Sequence, residues 1–168
     1  MKRLATVLLL AVLFGPPASA GDVIWDETPN ADGSVQLTCG DTCAEGELVC
    51  VSFWQPGSKM LQVEDLIDEA LIPWGQIDFT TAASVVTDRD ELIADDVTGG
   101  ERSEGPDVVA FGGQSWVRAR YEFEADKKGY GIDLLMWLKK ADIGGLRCSY
   151  RKGVDVDATI QALAVRQR

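Results

Sequence analysis

The sequence predicts an α+β domain: an antiparallel sheet covered by helices, one unit stapled by disulfides. Three observations lead there. Runs of strand period, SWVRARYEFEA (115–125) and YGIDLLMWLKK (130–140), meet across the short polar turn DKKG. Stripes of helix period occupy LQVEDLIDEAL (61–71) and ATIQALAVRQR (158–168). Four cysteines complete the picture, three of them inside LTCGDTCAEGELVCVSF (37–53).

Taken in order, the elements begin with MKRLATVLLLAVLFGPPASA (1–20), where Lys2 and Arg3 precede an apolar run and the small-residue site Ala18-Ser19-Ala20. This reads as a signal peptide cleaved before Gly21, its apolar run being too short to span a bilayer. Residues 21–168 suit a single domain with a real core. GDVIWDETPNADG (21–33) supplies a short first strand and a turn. SVQLTC (34–39) and LVCVSFW (48–54) alternate as the two arms of a hairpin. In 61–71, Val63, Leu66, Ile67, Ala70 and Leu71 form the stripe of an amphipathic helix stopped by Pro73.

QIDFTTAASVV (76–86) alternates Ile77, Phe79, Thr81, Ala83 and Val85, which predicts a strand. TDRDELIADD (87–96) suits a helical turn, and VTGGERSEGPD (97–107), rich in glycine and charge, predicts a loop. The hairpin of 115–140 follows. Its second arm is apolar on both faces, which favours a central strand covered on each side, with a buried helix as the competing reading because periodicity alone does not separate the two. GGLRCSYR (144–151) gives one more strand. The terminal helix has Asp155 or Asp157 as N-cap and Val156, Ile160, Leu163 and Ala164 as its buried stripe.

FGGQSWVRARYEF (111–123), YGIDLLMWLKK, LRCSYR (146–151) and ATIQALAVRQR together resemble the closing half of the PsbP/DcrB-like superfamily. These runs follow that group's order of glycine-led strand, paired strand, short strand and final helix. The resemblance implies an exported accessory or binding protein, and it carries over no functional residue.

The cysteines admit three kinds of chemistry. Structural zinc favours two short-spaced pairs of ligands, whereas Cys39, Cys43 and Cys50 are spaced C-x3-C-x6-C and the chain has no histidine. A redox centre of thioredoxin type needs C-x-x-C, one residue shorter than Cys39 to Cys43. Two disulfides are the default in an oxidising compartment. Strand parity places Cys39 with Val35 and Leu37, and Cys148 with Leu146 and Tyr150, while Cys50 points away from Val49 and Val51. The pairing expected on that ground is Cys39 with Cys148 and Cys43 with Cys50.

The absence of histidine removes the Ser-His-Asp and Cys-His systems. Carboxylate-pair hydrolysis survives, because acids are plentiful. Asp88, Asp90, Glu91, Asp95 and Asp96 offer oxygens to calcium, but no glycine sits where an EF-hand loop needs one. Trp54, Trp74, Trp116 and Trp137 are candidates to line a groove. Trp116, Arg118 and Arg120 alternate onto one strand face as a candidate ligand patch, unless the arginines pair with Glu122, Glu124 or a covering helix.

The formal charge is −11, and without Lys2 and Arg3 the balance is 14 basic against 27 acidic side chains, or −13. Such a field repels phosphate backbones and anionic lipid, which argues against nucleic-acid binding or membrane insertion. The function expected is a monomeric, non-catalytic binding or accessory protein of the bacterial cell envelope, periplasmic or secreted, with neither metal nor cofactor. Its partner is a small ligand or a basic protein. An inhibitor or immunity-type protein that neutralises a basic enzyme is the alternative, and a carboxylate-dependent hydrolase is a further one.

Overall fold

The computed structural model describes residues 24–39, 48–87 and 96–167. The signal-peptide reading of 1–20, Cys43 and residues 88–95 of the acidic stretch lie outside them. Seven strands make one antiparallel sheet in the order β1-β2-β3-β7-β6-β5-β4. They are β1 (Trp25–Pro29), β2 (Val35–Cys39), β3 (Leu48–Pro56), β4 (Val97–Phe111), β5 (Gln114–Ala125), β6 (Lys128–Lys139) and β7 (Asp142–Arg151). Only two short α-helices are present among the described residues, α1 (Phe79–Thr87) and α2 (Asp157–Gln167), with one 3-10 helix at Val63–Ile67.

The fold class expected from sequence is therefore corrected. The domain is predominantly a β-sheet, and it is not the helix-covered α+β arrangement that the periodicities suggest. The 61–71 stripe yields just the 3-10 helix, whose one fully buried side chain is Leu66. Beside it irregular chain buries Ile72 and Trp74 in one cluster with Val117, Ala119, Tyr121, Phe123, Ile132 and Leu134. Backbone groups in such chain must find partners. Trp74 Nε1 donates to the Leu66 carbonyl at 2.7 Å, and the Tyr121 hydroxyl donates to the Trp74 carbonyl.

Two further element readings change. Residues 79–87 form a helix instead of a strand, because Asp78 caps it. Its carboxylate accepts from the Thr81 amide at 3.1 Å and the Thr81 hydroxyl at 2.6 Å, and its carbonyl accepts from the Ala82 amide. Phe79, Ala82 and Ala83, at helical spacing, then face the core. The supposed loop 97–107 is the first part of the edge strand β4. Its register slips three times between Thr98 and Asp107, and those irregularities absorb Gly99 and Gly105, both at positive φ.

The hairpins β2–β3 and β5–β6, the strand β7 and the helix α2 lie where the sequence puts them. Strand β6 is central and buried on both faces from Tyr130 to Trp137. On the side opposite Trp74, Val156 just ahead of α2 and Ile160, Leu163 and Ala164 within it lie over Trp116, Leu135, Trp137, Leu146 and Cys148. An aromatic row crosses this side: Phe111 stacks on Trp116, Trp116 meets Trp137 at 5.0 Å, and Trp137 meets Trp54 edge-on at 5.4 Å. Gly144, paired in register between Trp54 and Trp137, makes the last step feasible, because a Cβ there would run into the Trp137 ring. Gly144→Ala is thus expected to cost about 1–3 kcal/mol by overpacking. Urea unfolding checks this, and an unchanged midpoint would contradict the packing.

The disulfide expectation is corrected in its pairing. Cys148 is bonded to Cys50, not to Cys39, across a sequence separation of 98. Cys39 is itself disulfide-bonded, and its partner lies outside the described residues. The parity argument failed because both faces of β3 are dry. Val49 is buried and Val51 half-buried on one face, and Leu48 and Cys50 are buried on the other, beside Leu37 and Cys39. Cys50 and Cys148 then stand directly opposite in the β3–β7 ladder.

Candidate functional site

Alternation along β5 sends Trp116, Arg118, Arg120, Glu122 and Glu124 to the α2 side of the sheet. Trp116 is fully buried, and its indole donates to the Phe111 carbonyl at 3.2 Å, so it belongs to the core. Trp74 and Trp137 are fully buried as well, whereas Trp54 is 45% exposed with the Lys139 ammonium 5.5 Å from its ring centre.

Arg118 and Arg120 converge on Asp133, which has no exposed surface although it sits in the middle of the sheet. Arg118 Nη2 donates to one carboxylate oxygen, Arg120 Nε donates to the other at 3.0 Å, and the Tyr150 hydroxyl donates to that second oxygen at 3.2 Å. Both guanidinium groups also donate to Asp157 in the first turn of α2, Arg118 at 2.8 Å. Arg120 reaches Glu104 of β4 at 3.4 Å. Burial works against the Arg118 charge, but Asp133 and then Asp157 outweigh it, so its pKa rises above the ordinary arginine value. Burial above all, reinforced by the Asp133 charge, pushes the Tyr150 hydroxyl well up, which keeps it a neutral donor.

The arginine patch of the sequence reading is therefore an internally paired ion network that ties α2 to the sheet. Two arginines against Asp133 and Asp157 leave no excess positive charge. Of the partners expected, the covering helix supplies Asp157, while Asp133 on the next strand was not foreseen and Glu122 pairs with Lys152 instead. Asp133 was legible as a lone acid inside an otherwise apolar run, a residue that must be paired if the strand is central.

Beyond the N-terminus of α2 the same face is open. Gly129 and Gly131 form its floor, with Tyr150 lying over Gly131 and the Lys152 stem over Gly129. Two adjoining hollows of about 210 Å³ each lie here, walled by Glu104, Arg120, Glu122 and Tyr150 in one and by Glu101, Glu122 and Glu124 in the other, with Lys152 shared. Lys152 Nζ contacts Glu122 at 2.5 Å. In the β4–β5 register Glu101 stands directly opposite Glu122, a like-charge pair that a strand ladder ordinarily avoids. Sequence reasoning missed Glu101 and Glu104 because it placed them in a loop.

Of the acidic stretch 88–96, only Asp96 is described. Among the described residues no group of three or more potential metal ligands comes together, and no helix is long and apolar enough to cross a membrane.

No protein-family model and no curated protein matches the chain. Among solved structures, a crystal structure from Bacteroides thetaiotaomicron VPI-5482 aligns at a TM-score of 0.51 and 13% identity, covering 83% of this chain but only 40% of that one. This is a likeness of fold alone. The solution structure of cyanobacterial PsbP (CyanoP) from Synechocystis sp. PCC 6803 aligns at 0.42 and 10% identity, over 89% of this chain and 92% of that one. At these identities no residue's role carries across to this chain. The Cys50–Cys148 bridge fits an extracytoplasmic protein.

Proposed function

We propose that the protein is an exported, non-catalytic binding or accessory protein that holds a basic partner on the open end of its α2 face. The observation that supports this reading is the Glu101–Glu122 opposition, flanked by Glu104 and Glu124 on a face that α2 leaves uncovered. Like charges in register cost stability in the free chain, and a cationic partner removes that cost on binding. The two nearby cations do not cancel the field, since Arg120 is shared among Asp133, Asp157 and, at 3.4 Å, Glu104, and Lys152 answers Glu122 alone. Neutralising a basic enzyme is one form of this activity.

A basic partner implies steep salt dependence. Binding of a lysine-rich dodecapeptide, followed by calorimetry, is expected to weaken at least tenfold between 20 and 200 mM salt. The Glu101→Gln, Glu122→Gln, Glu124→Gln variant should weaken it at least tenfold at low salt. Affinity indifferent to both changes would overturn the reading. Fractionation of the native host, probing periplasm against medium, assigns the compartment.

A further inference from the structure

Two strands end the sheet, β1 and β4. An edge strand presents unpaired backbone amides and carbonyls, and proteins blunt such edges with charge, proline, bulges or short length. Strand β1 is blunted throughout: it has five residues, carries Asp26 and Glu27, and ends at Pro29. Glu27 is further engaged by Arg166 at 3.6 Å. The first part of β4 is blunted too, by its three register slips, by Gly99 and Gly105 at positive φ, and by Pro106.

From Asp107 to Phe111 these devices stop. Five consecutive residues keep unbroken register with Arg118 to Gln114, and they include no proline, glycine or lysine. Val108 is 40% exposed and Ala110 is exposed. No described residue pairs with the outer side of this stretch. A regular, partly apolar edge of this kind is a template for strand addition.

We propose that Asp107–Phe111 receives an extended segment of a basic partner as an eighth strand. This rests on the basic-partner reading above, and it names the mode of recognition. Charge selects the occupant. Glu101 and Glu104 precede the open stretch and Asp107 begins it, and residues 103–111 contain no lysine or arginine. Arg102 is engaged by Glu69 at 2.5 Å. A second copy of the chain is disfavoured, because it would bring two sets of these acids and two chains of charge −11 together. The segment that fits alternates apolar and basic side chains, its backbone supplying affinity and its cations answering the flanking carboxylates.

The test uses the mature full-length chain and the octapeptide KVKVKVKV, blocked at both ends. The peptide is expected to bind and to slow amide exchange at 107–111. Methylating its alternate backbone nitrogens, or making Val108→Lys in the protein, should weaken binding at least tenfold. Val108 is exposed, so that variant should fold, and circular dichroism checks it. If binding survives both changes but is lost in the triple glutamine variant, strand addition is overturned while the basic-partner reading stands. If no lysine peptide binds, both fall. Equal binding of EVEVEVEV would overturn the charge selection, and dimerisation through 107–111 that the peptide cannot displace would make a second copy the occupant.

Discussion

Replacing Cys50 and Cys148 together by alanine is expected to lower stability by about 4 kcal/mol. The bridge closes a loop with a sequence separation of 98, and in the chain-entropy model a loop near that size restricts the unfolded ensemble by roughly 4.7 kcal/mol. One further loss and one retained feature bear on that figure. Both half-cystines are fully buried, so alanine leaves unfilled space against Leu37, Leu48 and Leu146. The β3–β7 ladder itself persists, with nine residue pairs from Leu48–Tyr150 to Pro56–Asp142. The strands should therefore stay together in the folded variant, and the change should register mainly as easier unfolding. For a chain of this length the melting temperature should fall by roughly 10 °C. Chemical denaturation of the variant against the parent, both under non-reducing conditions, measures the difference. A loss below 1 kcal/mol would mean that the unfolded chain is already compact around this pair.

What the sequence disclosed divides along a physical line. Elements in the middle of the sheet were legible, because burial on two faces writes itself into composition. YGIDLLMWL is apolar on both faces, which leaves a central strand or a buried helix, and the Val156, Ile160, Leu163, Ala164 stripe suits a helix lying on a dry face. Elements at the margin were not legible. The first part of β4 holds charges and glycines because an edge strand with solvent on one side and bulges along it need not be apolar, so its composition is that of a loop. Residues 76–86 alternate like a strand, and the deciding signal was the single Asp78 three positions before Thr81, a cap that outweighs the strand propensity of threonine and valine. The same division explains the site. Arg118 and Arg120 were found by alternation along β5, a local property. Their true partners, Asp133 and Asp157, depend on which strand lies beside β5 and where α2 is laid down, and the acidic face depends on a strand register that no local pattern records.

Asp133→Ala is expected to destabilise the fold by about 3–5 kcal/mol, as does removing one member of other buried ion pairs. The carboxylate has no exposed surface, and three donors are organised around it. Its removal leaves Arg118, whose side chain is 13% exposed, with Asp157 alone, and that carboxylate is half in solvent. Arg118 Nε already has no hydrogen-bond partner among the described residues, so the guanidinium has little reserve of solvation. The Tyr150 hydroxyl loses its acceptor in the same step. The cost is thus the desolvation of charges left behind, rather than the net worth of the network. That distinction has a measurable consequence. Arg118→Met and Arg120→Met, added to Asp133→Leu, remove the stranded charges along with their partner, and the triple variant should recover most of the lost stability in urea. Asp157 tolerates this because it can turn to water. If the triple variant is no more stable than Asp133→Ala, the network contributes favourable energy of its own, holding α2 on the sheet through Asp157 rather than compensating a buried carboxylate.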